Sequence, residues 1–363
     1  MNMLTPRAAV PGTRTSLDTD GVAPGDTDDF KVSVIIPVFN AARHLVGAVN
    51  SALQQPEVGE VVLVEDGSSD DSLAIAESLA ARHPERVRLH WHADHANKGP
   101  GVSRNVGLRA ARCPFVAFLD ADDWYLPGCF AGDKEAFAAD PGLGMVRHSL
   151  GNAWDPADED QRWFLGYSST AREQFCSTVK DIAPGDYFQS LYPMGTLTAG
   201  VADVLTIRRE LANAVGGFPP RHWAEDMAFH LKLASVGRVA FADMERPMAM
   251  RRIHANNLSR SKADKMPERL DHLGKALMDA MAFLRERRCP FRHKVALHRA
   301  WVRNGARLTS LRSFSLLAAS PETLLWPPVA WLYFKFYASL VRRALARIKK
   351  VSTWRKDDDR PGN

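Results

Sequence analysis

The sequence predicts an α/β fold, a mostly parallel sheet with helices on both faces, followed by a helical and basic C-terminal region. Three observations lead there. Short β-branched, apolar runs alternate with stretches of helical period between Lys31 and Asp123. Several of these runs are apolar at nearly every position, as in strands covered on both faces, and lack the in-and-out alternation of a half-exposed sheet. Three of the runs end in polar residues, and in open α/β sheets the ligand lies outside the carboxyl ends of the strands.

The elements follow in order. Residues 1–30 are rich in Pro, Gly, Thr and Asp and read as a disordered leader. Val32 to Phe39 is a buried strand in which Pro37 ends ladder pairing. Asn40 is placed to cap a helix from Ala41 to about Leu53, with Leu45, Val46 and Val49 on its inner side. A second strand, Val61 to Val64, runs into Glu65, Asp66, Gly67, Ser68 and Ser69. Asp70 or Asp71 caps the next helix, whose periodic residues are Leu73, Ile75, Ala76 and Leu79. A third strand fits Val87 to Trp91, and a glycine-rich turn at Asn97 to Gly101 opens a helix ending near Arg112. The fourth strand, around Phe115 to Leu119, stops on Asp120, Ala121, Asp122 and Asp123. Asp is a poor strand former and like charges repel, so local propensity gives no reason for this cluster. A hard cation such as Mg2+ or Mn2+ does, because it takes carboxylate oxygens and shares its shell with phosphates.

Composition narrows the classes. At 363 residues and 45% hydrophobic, the chain can bury a main domain and a smaller region. Cys113, Cys129, Cys176 and Cys289 lack CxxC spacing, which argues against a zinc site or a disulfide framework and suits a reducing compartment. The start has no signal-peptide pattern, so the expected location is cytoplasmic. No G-x-G-x-x-G follows the first strand and no G-x-x-x-x-G-K-[ST] occurs, so dinucleotide and P-loop fingerprints are missing. From Arg285 to Lys356 there are 17 Lys and Arg against 2 acids, a local balance of +15. That leaves −10 for the remainder of a chain whose total is +5.

Four motifs occur in order: Val34 to Asn40, Val64 to Asp70, Asn97 to Gly107, and Phe118 to Asp123. With them the chain resembles family 2 glycosyltransferases of the GT-A fold over roughly Lys31 to Ser259. That resemblance implies an inverting, metal-dependent enzyme that moves one sugar from a nucleotide-sugar donor, UDP-linked in expectation, to a hydroxyl of a glycan or glycolipid. By the same resemblance Pro37 and Phe39 border the nucleobase, Phe39 by its ring face. Asp66 accepts a hydrogen bond from the base, Arg104 meets the base or diphosphate, and Asp120 lies near the ribose and metal. Asp122 binds the metal directly, and Glu65 stands where the family commonly has Asp. Thr206 to Phe218 ends in Gly216-Gly217-Phe218 before Trp223-Ala224-Glu225-Asp226. The resemblance makes Asp226 the general base and Glu225 its orienting partner. His254, 28 residues after Asp226, completes the metal shell or touches the diphosphate. Trp223 is either a sugar-stacking or a core residue.

The expected organisation is a catalytic domain over 31–260, split into a nucleotide-binding half (31–124) and an acceptor half (125–260), with a helical region over 261–363. Asp271 to Leu284 and Val295 to Leu311 read as helices. Leu324 to Val341 is apolar and aromatic but carries Pro327, Pro328 and Lys335, which makes it a poor spanning helix. Beside Arg342, Arg343, Arg347, Lys349 and Lys350 it fits a segment lying on an anionic membrane surface, or alternatively a packed lid or dimer surface. Nucleic acid fits the charge less well, since the aromatic residues cluster with apolar ones. The alternative to an enzyme is a non-catalytic nucleotide-sugar-binding or scaffolding chain of the same fold. A sugar nucleotidyltransferase would want a glycine-rich loop where Pro37 to Asn40 stands.

Overall fold

The computed structural model describes residues 30–154, 182, 186–192, 194, 204–254, 257 and 266–305. Its centre is a seven-stranded sheet in the order β3-β2-β1-β4-β8-β6-β9. The strands are β1 (Val32–Val38), β2 (Val58–Glu65), β3 (Val87–Trp91), β4 (Phe115–Phe118), β6 (Met145–Arg147), β8 (Leu205–Arg208) and β9 (Val239–Phe241). β3, β2, β1 and β4 are parallel neighbours, β8 is antiparallel to both β4 and β6, and β6 runs parallel to β9. A smaller sheet orders β5 (Trp124–Tyr125), β10 (Ala249–Ile253) and β7 (Leu150–Trp154) with β10 central.

The continuous apolar runs explain the layering. Six of the seven residues of β1 are buried, so both of its faces are covered. The helices between strands are α1 (Leu45–Leu53), α2 (Ser72–Arg82), α3 (Pro100–Ala110) and α4 (Ala131–Ala139). α3 crosses β1 closely: a Cβ at Gly107 would lie 2.3 Å from the Ile35 side chain. Later come α5 (Tyr187–Ser190), α6 (Arg209–Ala214), α7 (Glu225–Val236), α8 (Met266–Glu286) and α9 (Phe291–Gly305). α8 packs along α7, and Arg221, just before α7, pairs with Asp279 of α8.

Some expectations change. The first helix begins at Leu45, because residues 42–44 form a turn, and Asn40 does not cap it. Asn40 instead adopts φ 49° and its side-chain oxygen accepts the Ser69 N–H at 2.8 Å, tying the end of β1 to the turn after β2. Leu45 and Val49 are buried as expected, but Val46 faces outward. Asp71 holds the cap position of α2, while it is Asp70 whose oxygen accepts the Ser72 N–H at 3.0 Å. Phe30, counted with the leader, is a core residue: its ring lies 4.6 Å from that of Phe115 and 5.9 Å from that of Phe137. The tail helices run Met266–Glu286 and Phe291–Gly305, both starting earlier than their periodic cores suggest, while residues 306–311 of the second expected helix lie outside the described residues. The rest of the leader and the segment 324–350 lie outside the described residues. Among the described residues, no helix is long and apolar enough to cross a membrane.

Candidate active site

The site forms where β1, β2 and β4 end. Val38 pairs with Glu65, so the two strands finish side by side, and the Asp66 N–H continues the ladder onto Val38 O at 2.8 Å. Phe39, the residue after β1, is 48% exposed, a large ring held open to solvent at the strand end. Pro37 is half-buried beneath it. Glu65 is buried and folds back on its own turn, accepting the N–H groups of Gly67 at 3.0 Å and Ser68 at 2.5 Å.

Asp66 is buried too, and its oxygens accept the backbone N–H groups of Lys98 (2.7 Å) and Gly99 (3.0 Å), with His92 Nε2 at 3.2 Å. The expected base acceptor is thus also the residue that fixes the glycine-rich turn before α3. His92, which in turn meets the Ser103 hydroxyl at 2.9 Å, went unnoticed in the sequence because nothing local distinguishes it.

The acidic cluster is a turn: the Asp123 N–H donates to Asp120 O at 3.0 Å. That geometry leaves Asp120 and Asp122 partly exposed and sends Asp123 inward, where its Oδ1 accepts the Arg252 N–H of β10 at 2.7 Å. One oxygen from each of the three aspartates lies within 4.8 Å of the others. Three carboxylates at that spacing are a hard-oxygen donor set, which fits Mg2+ or Mn2+. His254 Nε2 lies 2.8 Å from Asp122 Oδ2. Asn257 Nδ2 reaches the same oxygen at 3.3 Å, and Asn257 Oδ1 accepts the His254 N–H at 2.6 Å. Burial would raise the Asp122 carboxyl, but the hydrogen bond and charge of His254 outweigh it, so Asp122 is held below the usual carboxylate range. His254 thus holds the Asp122 carboxylate in place. Asn257 carries no separate signal in the sequence beyond its three-residue spacing from His254.

The acceptor-side pair sits at the start of α7. Its cap, Ala224, is buried in the left-handed conformation at φ 59°, an uncommon cost for a residue with a Cβ. Asp226 lines a small cavity formed by the rings of Phe118, Phe218 and Phe229 with Leu205, Ile207 and His230. Phe218 is placed by the Gly216-Gly217 turn, where both glycines have positive φ. Withdrawal from water among these apolar groups, then the charge of Glu225, push the Asp226 carboxyl well above its ordinary range, against the opposing pull of Arg104. His230 is one helical turn from Asp226, and its Nε2 meets the buried Tyr187 hydroxyl at 2.6 Å. Trp223 is half-buried against the core with its ring edge-on to His272 at 5.4 Å.

Arg104 lies between the two carboxylate groups of the site. It is 4% exposed, and its fork is taken by Asp120 (2.6 Å) and Glu225 (2.9 Å), so in this arrangement it faces carboxylates and not open solvent. It is the fifth residue of α3, and its partners lie 16 and 121 residues away in the sequence. The structure therefore brings Asp120, Asp122, His254, Arg104, Glu225 and Asp226 into one connected set, with Phe39 and Asp66 at the neighbouring strand ends.

Residues 33–175 match the profile of Glycosyl transferase family 2. An uncharacterized glycosyltransferase from Nostoc sp. is 38% identical over 120 residues, 33% of this chain and 36% of that protein. The succinoglycan biosynthesis protein ExoU of Rhizobium meliloti is 40% identical over 97 residues, covering 27% of this chain and 28% of its own length. The chain thus spans about a third of the length of the curated relatives it matches. Among solved structures, S. aureus TarS 1-349 in complex with UDP aligns with TM-score 0.53 at 18% identity, covering 84% of this chain and 88% of that one. At that identity the likeness is one of fold, the GT-A fold that the sequence motifs resemble.

Proposed function

We propose, for a chain whose residues 33–175 match the profile of Glycosyl transferase family 2, that it transfers one sugar from a nucleotide-sugar donor to a hydroxyl of a glycan or glycolipid. The observation that carries this reading is the connection of the aspartate cluster, through Arg104, to Glu225 beside Asp226. A phosphate-neutralising end and a proton-accepting end lie on one site. UDP is the expected nucleotide, in keeping with the complex of TarS.

In this reading, residues 31–124 supply the donor half and 125–260 the acceptor half. Phe39 stacks on the base beside Pro37, while Asp66 holds the glycine-rich turn against it. Asp120 and Asp122, with His254 orienting the latter, would hold Mg2+ or Mn2+, and such an ion would supply charge neutralisation for a leaving diphosphate. Asp226 accepts the proton of the acceptor hydroxyl as its oxygen bonds to the anomeric carbon. The bond from that carbon to the diphosphate breaks, and attack from the opposite face inverts the centre. A carboxyl held toward neutrality suits a general base, which contributes typically ~10²–10⁴-fold. Glu225 orients that base through its charge and its pairing with Arg104. The segment 324–350 is proposed to hold the protein at an anionic inner membrane face, so the full chain should sediment with anionic vesicles at low salt and partly release as salt rises.

The deciding experiment screens nucleotide sugars by thermal shift with Mn2+ or chelator, then measures nucleotide release from those that bind. Metal-dependent binding followed by release supports the reading. Binding without any turnover, with every acceptor tried and in hydrolysis, would make the chain a binding module.

A further inference from the structure

One guanidinium joins the two halves of the site. Arg104 leaves α3 with its plane over the Phe218 ring, 5.4 Å from the centroid, and its two terminal nitrogens diverge to Asp120 and Glu225. The meeting is built into the chain: a Cβ at Gly101 would stand 2.8 Å from Pro219 O and 2.9 Å from Glu225 Cγ, so only glycine lets α3 start this close to α7. A planar fork can serve two carboxylates in different directions, whereas an ammonium is a point charge. The Arg104 charge is felt by Asp120, Glu225 and Asp226 together.

We propose that Arg104 is a positioning residue that shares its charge between Asp120 and Glu225, so that the filling of the donor side is felt at the acceptor-side base. The inference rests on the reading of Asp226 as that base. When a cation or donor draws the Asp120 charge to itself, Arg104 bears more fully on Glu225 and Asp226, and the ionised form of Asp226 is favoured. The charged and titratable groups facing Asp226 are Glu225 and His230 from its own helix, Arg104 from α3 and Asp120 from the end of β4; the remaining cavity lining is apolar. The base is thereby readied once the donor is in place, which limits a charged carboxylate in an apolar cavity to the moment it is needed.

The test is calorimetric and needs no turnover. Binding of the nucleoside diphosphate selected in the screen, with Mg2+, is measured in pairs of buffers of different ionisation enthalpy, at several pH values from the carboxylate range to neutrality. The wild-type chain should release a fraction of a proton on binding, and Asp226→Asn should abolish that fraction. Arg104→Lys should still bind nucleotide but lose the release. Glu225→Gln, the second variant should Arg104→Lys fail to fold, removes one of the two carboxylates that share the Arg104 charge and should alter the release. Equal proton release in wild type and Asp226→Asn, or unchanged release in Arg104→Lys or Glu225→Gln, overturns the coupling while leaving the reading of function intact. A wild-type chain that binds no nucleoside diphosphate defeats both.

Discussion

Asp122 and Asp226 are the same residue treated in opposite ways by two regions of one site. Asp122 follows a buried strand and is partly exposed, and the His254 imidazole beside it holds its carboxyl below the usual range. Asp226 opens a helix but lines an apolar cavity, where withdrawal from water and the neighbouring Glu225 hold its proton more tightly. Environments that push like groups apart mark different tasks. One carboxyl is suited to hold a cation at every working pH, and the other to exchange a proton.

The sharpest way to break that comparison is to remove each charge in turn. Asp226→Asn should lower kcat by roughly 10²-fold or more with nucleotide affinity almost unchanged. Because the folded-state carboxyl is held above its unfolded value, ionising it costs stability at pH above that range. Asn resembles the neutral acid, so the variant's Tm should rise at neutral pH, with the gain shrinking as the pH falls and the wild-type group takes up its proton. Asp122→Asn should abolish metal-dependent nucleotide binding and shift Tm the other way. Its carboxyl is held below the unfolded value, so its stabilisation is present above that value and is lost as pH falls through the folded one. Thermal shift on the two variants reads both signs, and shifts of the same sign would erase the distinction.

Smaller changes sharpen it. Asn257→Ala frees the His254 backbone and one contact to Asp122, so metal affinity should weaken by roughly 10-fold or more with kcat at saturating metal little changed. Phe39→Ala removes an exposed ring and nothing from the core, so nucleotide affinity should fall by roughly tenfold at constant Tm. Ala224→Gly relieves a left-handed alanine at φ 59°, so Tm should rise slightly while kcat drops a few-fold as the start of α7 loosens.

The two regions also differed in how far the sequence revealed them. The strand-end side was legible because strand, turn and carboxylates are consecutive: Phe115 to Asp123 states a buried strand and its acidic end within nine residues. Asp226 was reachable from the Gly-Gly-Phe turn before it. What could not be read were contacts made across the chain. Arg104 meets a carboxylate 121 residues away, and His254 meets Asp122 across 132 residues, separations over which no periodicity carries information. The resemblance directed Arg104 to the base or diphosphate, and its two carboxylate partners come from segments that no local pattern links to α3. Asn40 looked like a helix cap because its type fits one, and only the tertiary pull of Ser69 assigns it elsewhere. Phe30 was lost in a polar leader because a single aromatic has no pattern, although Phe115 and Phe137 enclose it.

The most direct test of the separation between the two carboxyls is a pH titration of one preparation followed by two readouts, metal-dependent nucleotide affinity and single-turnover transfer rate. The opposite environments of Asp122 and Asp226 predict that the rate falls along an acidic limb at higher pH than any loss of affinity, a limb absent from the residual rate of Asp226→Asn. Affinity and rate falling together at one pH, or a limb unchanged in that variant, would contradict it.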